Sequence, residues 1–152
     1  MFFLSSTKTT KKEDVLPGKF AYITTKNTFN GYEKSSHIWT ENENVITVDS
    51  ATNGNCFFQE NKFTASDHVE KIWPIYQCLN RYNSHFLTSL LNFNSYKYSY
   101  GRKRSLREIR KEKLLLPTIN GEPDWKFMEN SIKDFYQKII NKFKLELERL
   151  SP

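Results

Sequence analysis

Aromatic and basic side chains are interleaved in residues 96–104, which read YKYSYGRKR. Arginine and lysine neutralise phosphates, arginine also reads guanine through paired hydrogen bonds, and tyrosine rings stack on bases. Between Lys97 and Lys113 there are eight basic and two acidic residues, whereas basic and acidic residues balance over the rest of the chain. The whole net charge of +6 therefore lies in this segment, which predicts binding to a polyanion, most often nucleic acid. The alternatives are a solvated helix face and, for the tyrosines, an ordinary strand face.

A second segment with base-reading chemistry is TTKNTFNG, residues 24–31, directly after a predicted strand. Asparagine can read adenine and threonine can contact a base or a phosphate, although a plain turn explains the same residues. We expect lysines such as Lys103 and Lys111 to hold phosphate, and the 24–30 loop, Tyr100 and Arg102 to read sequence. The predicted DNA-binding residues are Thr24, Thr25, Asn27, Asn30, Tyr98, Tyr100, Arg102, Lys103, Arg104, Arg107 and Lys111.

Two further groupings are found in enzymes, but neither is specific. Asp67 and His68 are adjacent, yet no serine or cysteine nucleophile can be placed beside them, so we expect a buried structural pair. Asp49 followed by ENK at 60–62 is similar to the acid and Glu-x-Lys spacing of metal-dependent nucleases, although a simple hairpin explains it equally well. The histidines and cysteines lack zinc-site spacing, and the sequence has no glycine-rich phosphate loop. We therefore predict no catalytic residue, no metal, no cofactor and a chain that is not an enzyme.

The first half of the sequence predicts a compact, mostly antiparallel β unit that positions these segments. One strand is expected within residues 1–17 and others at 20–25, 45–48, 55–59, 63–66 and 69–73, with a tight NG turn at 53–54. Apolar residues from Cys78 to Leu91 recur every three or four positions, which predicts a helix packed on the sheet. Ser105 and Glu108 form a capping-box pattern at the start of a basic helix that extends to about Lys113. Residues 114–117 are predicted to form a short buried strand.

The C-terminal part predicts one long helix from about residue 124 to residue 150. Apolar residues spaced by three or four positions form a continuous stripe on a helix roughly 40 Å long, which exceeds what a small domain can cover. We expect the far end of this stripe to pack on another helix. The residues assigned to that contact are Ile139, Phe143, Leu147 and Leu150.

The composition excludes several classes of protein. Aromatic residues make up 15% of the 152 residues, which argues against a disordered chain. No apolar run approaches the roughly 20 residues of a membrane span, and the short apolar start lacks the features of a secretion signal. We therefore expect a cytoplasmic protein that does not contact membrane and keeps Cys56 and Cys78 as free thiols.

Seven short runs in order resemble the DNA specificity (target recognition) domain of type I restriction–modification specificity subunits. The resemblance covers about residues 15–135 and is strongest to the versions that serve type IIB and IIG systems. The runs are GKFAYITT (18–25), NG (30–31), VITVDS (45–50), FFQENKFTASDHV (57–69), YSYGRK (98–103), LLP (115–117) and NGEPDWKFME (120–129).

The resemblance implies an α/β (α+β) fold, in which a globular recognition domain with a twisted, mostly antiparallel sheet precedes a long coiled-coil-type helix. The corresponding division is a recognition domain at 1–120 and a helix at 124–152. The family role implies sequence-specific binding of double-stranded DNA by a half-size specificity subunit, with methyltransferase and restriction subunits as partners. Full subunits have two recognition domains and two helices, so either two copies pair through residues 124–150 or the chain is a truncated or split type IIB/IIG enzyme. A stand-alone metal-dependent nuclease is the remaining alternative.

Overall fold

The computed structural model describes residues 1–150, so the last two residues of the predicted 124–152 segment lie outside the described residues. No helix within residues 1–150 has the length and apolar character needed to cross a bilayer. The elements are, in chain order, β1 (Phe2–Ser6), β2 (Phe20–Ile23), β3 (Tyr32–Ser36), β4 (Val45–Asp49), β5 (Cys56–Gln59), β6 (Phe63–Ala65), β7 (Val69–Pro74), α1 (Arg81–Phe93), α2 (Leu106–Ile109), β8 (Thr118–Ile119), β9 (Glu122–Pro123) and α3 (Trp125–Leu150).

The first sheet has four antiparallel strands in the order β1-β7-β4-β5. All five residues of β4 are buried, which agrees with the strand predicted from its β-branched sequence VITVD. The predicted hairpin between β4 and β5 is present, but the loop 50–55 connects the strands instead of a tight two-residue turn. The Asp49 carboxylate shapes this loop because it accepts the backbone N–H groups of Ala51, Thr52 and Asn53.

The second sheet has the order β3-β2-β6, with β2 antiparallel to β3 and parallel to β6. The sequence of β3, YEKSS, has no alternation of apolar and polar residues, so periodicity does not predict this strand. The two sheets together confirm the expected mixed α/β fold with mostly antiparallel pairing.

The core lies between the first sheet, α1 and the first turns of α3. α1 begins with a capping box, in which the Asn80 side chain accepts the N–H groups of Tyr82 and Asn83 while the Asn83 side chain accepts that of Asn80. The apolar pattern in the sequence begins at Cys78, whereas the helix itself begins three residues later, at Arg81. The buried residues of the core are Ile46, Val48, Cys56, Phe58, Ile72, Leu79, Leu87, Leu91, Ile109 and Met128.

The segment between α1 and α3 differs from its prediction. The basic helix α2 has four residues and ends at Ile109, and the Ser105 side chain makes no capping hydrogen bond. The predicted strand at 114–117 is absent, and Leu115 is 94% exposed, whereas Leu114 and Leu116 pack on the core. Beyond Ile109 the chain brings the Glu112 side chain inward, where its carboxylate pairs with Arg104 Nη2 at 2.6 Å.

The long helix α3 confirms its prediction. It begins after Asp124, whose carboxylate accepts the N–H of Phe127 at 2.8 Å. Its 26 residues rise about 39 Å. Near its middle, the Tyr136 ring lies 6.2 Å from the imidazole of His85 on α1, and the Phe58 ring lies 6.4 Å from the same imidazole. Burial at this junction, helped by Arg81 and opposed by Glu60, lowers the pKa of His85 from its ordinary value of 6.5.

Candidate nucleic-acid interface

The outer edge of β5 holds the 24–31 loop and the end of α1, which leads into the 96–104 segment. The Asn92 side chain accepts the Cys56 N–H at 2.7 Å and donates to the Cys56 carbonyl at 3.0 Å, which fixes the end of α1. The Asn30 amide donates to the Phe58 carbonyl at 3.0 Å, which fixes the 24–31 loop. Cys56 and Phe58 are two residues apart, or about 7 Å along a strand. The 24–31 loop and the end of α1, from which the 96–104 segment continues, are therefore anchored to neighbouring points of one strand edge.

Arg104, which we predicted to contact DNA, is fully buried. Its Nε and Nη2 donate to the two carboxylate oxygens of Glu112 at 2.7 and 2.6 Å, and its Nη1 donates to the carbonyls of Gly54 and Leu91 at 2.7 and 3.1 Å. Burial acts to lower the pKa of the guanidinium, but the hydrogen bonds with Glu112 and the electrostatic interactions with Cys56, Glu112 and Tyr98 together outweigh it and raise the pKa above its ordinary value. The DNA-contact prediction for Arg104 is wrong, because this side chain ties the basic segment to the 50–55 loop and to α1.

Tyr98 is a second predicted contact that the structure turns inward. Its hydroxyl donates to Glu112 Oε1 at 2.7 Å, and the centroid of its ring lies 5.2 Å from the guanidinium carbon of Arg104. Burial and the adjacent Glu112 carboxylate raise the pKa of the Tyr98 phenol to about 12. Tyr98 and Arg104 flank the 99–103 loop on its two sides. Both donate hydrogen bonds to the Glu112 carboxylate, which therefore fixes both ends of the loop.

The 99–103 loop projects its side chains into solvent. The backbones of Ser99 and Arg102 exchange two hydrogen bonds, of 2.9 and 3.2 Å, which closes a tight turn around Tyr100 and Gly101. Tyr100 is 78% exposed, and Arg102 and Lys103 are also exposed, with the Lys103 Nζ 5.7 Å from the Tyr100 ring centroid. A Cβ on Gly101 would meet no atom within 4 Å, so this side of the turn is open to an approaching molecule. The loop presents a ring and two cations on a fixed base.

Two further aromatic rings extend this surface at the end of α1. Phe93 and Tyr96 are 77% and 75% exposed, and their rings meet edge to face at a centroid distance of 6.5 Å. The Lys97 Nζ lies 5.6 Å from the Tyr96 ring centroid. The sequence analysis did not assign Phe93, because it follows Phe86 and Leu90 at spacings of seven and three and therefore reads as part of the apolar stripe of α1.

α2 and the residues after it supply further positive charge. Arg107 and Lys111 are exposed, and Glu108 lies 3.7 Å from Arg107 Nε and 2.9 Å from Lys111 Nζ. The hydrogen bond from Lys111 lowers the pKa of the Glu108 carboxyl. Once the buried pair of Arg104 and Glu112 is set aside, seven basic residues and one acidic residue remain between Lys97 and Lys113. We call residues 93–113 the aromatic-basic surface.

Hydrogen bonds within the 24–31 loop and to β5 fix its conformation. The Thr24 N–H donates to the Gly31 carbonyl at 2.9 Å, and Thr24 Oγ1 accepts the Lys26 N–H at 3.3 Å. Both hydrogens of the Asn30 amide are used, one on the Phe58 carbonyl and one on the Gln59 side chain. Asn30 therefore anchors the loop and is not free to read adenine with paired hydrogen bonds, which corrects our assignment. Asn27 is exposed, and Thr24 and Thr25 are half-buried.

An open groove of about 860 Å³ lies beside this loop, between β2, β5 and α1. Its charged lining is mixed, with Lys19, Lys62 and Arg81 accompanied by Glu43 and Glu60. A mixed lining favours a polyanion less than the aromatic-basic surface does, because the two carboxylates repel phosphate.

The catalytic groupings do not assemble into a site. In the β4–β5 register Val45 pairs with Gln59, so Asp49 lies about five residues, or roughly 17 Å, along the hairpin from Glu60. The Asp49 carboxylate is moreover occupied by the 50–55 loop. Asp67 and His68 lie 3.6 Å apart and are both exposed, so the expected burial of this pair is wrong. Within residues 1–150, no cluster of three or more histidine, cysteine or acidic side chains suits a metal ion.

Comparison with known proteins identifies the class to which this fold belongs. Residues 2–148 match the family of the type I restriction modification DNA specificity domain, and the chain belongs to this family. The family resemblance stated from the sequence is therefore confirmed.

Two relatives are informative. The Type II restriction enzyme BgcI specificity subunit S.BcgI of Heyndrickxia coagulans is 26% identical over 148 residues, which cover 93% of this chain and 43% of that protein. The crystal structure of the Type-I restriction-modification system S subunit from M. genitalium superposes with a TM-score of 0.63 at 14% sequence identity, covering 97% of this chain and 40% of that one. The second likeness shows a shared fold. The chain spans less than half the length of either relative.

Proposed function

We propose that this chain binds one part of a double-stranded DNA target as the specificity half-subunit of a restriction–modification system, and that it directs methyltransferase and restriction subunits to that target. The observation that carries the proposal is the aromatic-basic surface, where Phe93, Tyr96 and Tyr100 project among seven cations with one acidic residue. Membership of the DNA specificity domain family supports it. A solvated helix face explains the charges but not three large rings held in water.

The exposed residues divide by chemistry into two groups. Lysines and arginines on α2 and beyond it, such as Arg107 and Lys111, suit phosphate because a cation there positions DNA without reading sequence. Tyr100 and Arg102 at the tip of the fixed 99–103 loop suit base edges, since arginine makes paired bonds to guanine. Asn27, with Thr24 and Thr25, supplies the second reading segment from the 24–31 loop.

Binding-site selection from a random duplex library tests this division. The paired substitution Arg102→Glu with Lys103→Glu is expected to weaken binding at least tenfold at moderate salt and to reduce the salt slope by about 2. The matched control is Lys138→Glu with Lys142→Glu, which changes the net charge equally on the exposed part of α3. Asn27→Ala and Arg102→Ala should alter the selected sequence, whereas Lys111→Ala should weaken all sequences alike. Equal binding by the two paired variants would contradict the proposal.

The chemistry of restriction and modification would then reside on other chains. A half-subunit and the recognition part of a split or truncated type IIB/IIG enzyme both fit this arrangement. Co-purification with the products of neighbouring genes, followed by methylation mapping of host DNA, distinguishes them. Incubation of the pure protein with plasmid and Mg²⁺ tests the nuclease alternative, with Asp49→Ala and Lys62→Ala as controls. Cleavage that both substitutions abolish would overturn our assignment of a non-catalytic chain.

Assembly through α3 completes the proposal, with residues 1–120 as the recognition domain and the helix from 124 onward as the contact element. Met128 is buried against the core, but beyond Tyr136 the stripe is solvent-facing, and Phe143 is 67% exposed. Burying one such side chain contributes roughly 1.5–3 kcal/mol, so burial of the stripe supports pairing with another helix. We propose an antiparallel pair of copies through Ile139, Phe143, Leu147 and Leu150. Two copies would span most of the length of S.BcgI, of which one covers 43%.

Sedimentation of the pure protein tests the pairing. A dimer at tens of micromolar that becomes monomeric with Phe143→Asp is the expected result, and Lys142→Asp on the same helix is the control for the introduced charge. A parent protein that is monomeric at tens of micromolar and unchanged by Phe143→Asp would rule out self-pairing and leave docking of a methyltransferase subunit as the alternative role of α3.

A further inference from the structure

Phe29 combines a strained backbone with an exposed ring. It lies at the tip of the 24–31 loop, is 79% exposed, and has a φ of 51°. The next residue, Asn30, has a φ of 58°. A bulky residue rarely adopts this left-handed conformation, and strain of this kind persists where the surrounding structure imposes it. A large apolar ring in water gains nothing from being held there in the free protein.

The hydrogen bonds of the loop show what imposes the conformation. The Gly31 N–H donates to the Thr28 carbonyl at 3.1 Å, which closes the turn across Phe29. The Asn30 side chain is fastened to β5, and the Gln59 amide donates back to the Asn30 carbonyl at 3.1 Å. Gly31 is buried, and a Cβ there would lie 3.1 Å from the Ile23 side chain. Residues on both sides of Phe29 are thus fixed, and the ring is directed outward.

The surroundings of the ring indicate what it meets. The Lys26 Nζ lies 5.6 Å from the ring centroid and 3.7 Å from Glu33 Oε2, and the rest of the loop tip is threonine and asparagine. A protein partner that took up a lone phenylalanine would bury these polar neighbours against its own surface. A DNA groove suits them better, because the lysine meets phosphate, the hydroxyl and amide groups meet polar base edges, and an apolar ring can wedge between base pairs.

We propose that Phe29 inserts against one base step of the bound duplex and makes recognition depend on how easily that step unstacks. This inference rests on the proposed function, since it needs the chain to bind double-stranded DNA. Pyrimidine–purine steps unstack most readily, so we expect such a step to be preferred at a position where no side chain forms a base hydrogen bond. Phe29 is then a specificity-determining residue that acts through the shape of DNA and not through its hydrogen-bonding groups.

The test uses the duplex selected by the parent protein, with 2-aminopurine placed at successive positions. Bound parent protein should raise the fluorescence at one step, because unstacking relieves the quenching of 2-aminopurine. Phe29→Ala should abolish that rise and weaken binding about tenfold, as expected when one stacked contact is lost. Phe29→Leu, which keeps an apolar wedge, should retain part of both effects. Renewed selection with Phe29→Ala should lose the preference at that step alone and keep the bases read by Asn27 and Arg102.

Phe29→Gly controls for folding. Because glycine adopts a positive φ without strain, this variant should melt at or above the melting temperature of the parent. Unchanged fluorescence and an unchanged selected sequence with Phe29→Ala would overturn the proposal. Intact DNA binding by Phe29→Ala together with lost capture of a catalytic subunit would also overturn it, by placing the ring in a protein contact. A parent protein that binds no duplex at all would refute the proposed function itself, which is a separate outcome.

Discussion

Replacing Arg104 with alanine should destabilise the whole domain, although the residue lies inside a motif that reads as a surface for nucleic acid. The substitution leaves the Glu112 carboxylate, whose side chain is 10% exposed, without its cation. It also removes the donor from the carbonyls of Gly54 and Leu91. Arg104 is the point at which the basic segment, the 50–55 loop and the end of α1 meet.

The expected magnitude follows from the burial of the pair. Removing one partner of a buried ion pair costs about 3–5 kcal/mol, because a charge remains in the interior without compensation. For a domain of about 150 residues, each 1 kcal/mol lowers the melting temperature by about 2–4 °C. Arg104→Ala should therefore melt at least about 6 °C below the parent.

Thermal melting followed by circular dichroism measures the effect, and Arg102→Ala is the matched control. Arg102 is two positions away and exposed, so its loss should change the free energy of unfolding by no more than about 0.5 kcal/mol while weakening DNA binding. Glu112→Gln should destabilise the domain as Arg104→Ala does, because it leaves the guanidinium buried without a carboxylate. The double variant Arg104→Met with Glu112→Leu should be less destabilised than the two single effects added together, since it leaves no buried charge.

One pattern of results would refute this reasoning. If Arg104→Ala has the same melting temperature as the parent and weakens DNA binding to the same extent as Arg102→Ala, then Arg104 faces the ligand. The sequence-based assignment of Arg104 to DNA would then be correct after all.

Three further substitutions or treatments probe other parts of the molecule. The folded state favours the neutral imidazole of His85, so its contribution to stability is present above pH 6.5 and is lost as the pH falls through the lower pKa of the folded protein. The melting temperature of His85→Asn should therefore vary less between pH 7.5 and pH 5 than that of the parent. Equal variation in the two proteins would contradict this. Iodoacetamide should alkylate the exposed Cys78 and spare Cys56, because burial raises the pKa of the Cys56 thiol to about 12, and mass spectrometry shows which thiol reacted. Gly54→Ala should lower the melting temperature, since its Cβ would lie 2.6 Å from Arg104 Cδ at a φ of 72°, whereas Gly101→Ala, in open space, should not.

Local pattern was sufficient for the elements whose burial follows from period alone. The β-branched run of β4, its hairpin with β5, and the apolar stripes of α1 and α3 are all visible in the sequence, because a strand repeats every two residues and a helix every 3.6. The segregation of the net positive charge into residues 97–113 is likewise a property of the sequence. β3 and the four-residue length of α2 were not predictable in this way, since contacts with other elements outweigh their local preferences.

The roles of individual side chains in the recognition segments depended on partners that are distant in the chain. Arg102 and Arg104 have the same chemistry and lie two positions apart, yet one is exposed and the other is buried. The difference arises because Arg104 meets the Gly54 carbonyl, 50 residues away, and the Leu91 carbonyl, 13 residues away, beside the Glu112 carboxylate. Asn30 is turned inward for the same reason, by a carbonyl 28 residues away on β5. Composition and spacing describe what a side chain is able to do. In the folded protein, a buried donor pairs with the acceptor that the fold places beside it, because leaving a donor or acceptor unpaired in the interior costs more free energy than a contact with a ligand would contribute.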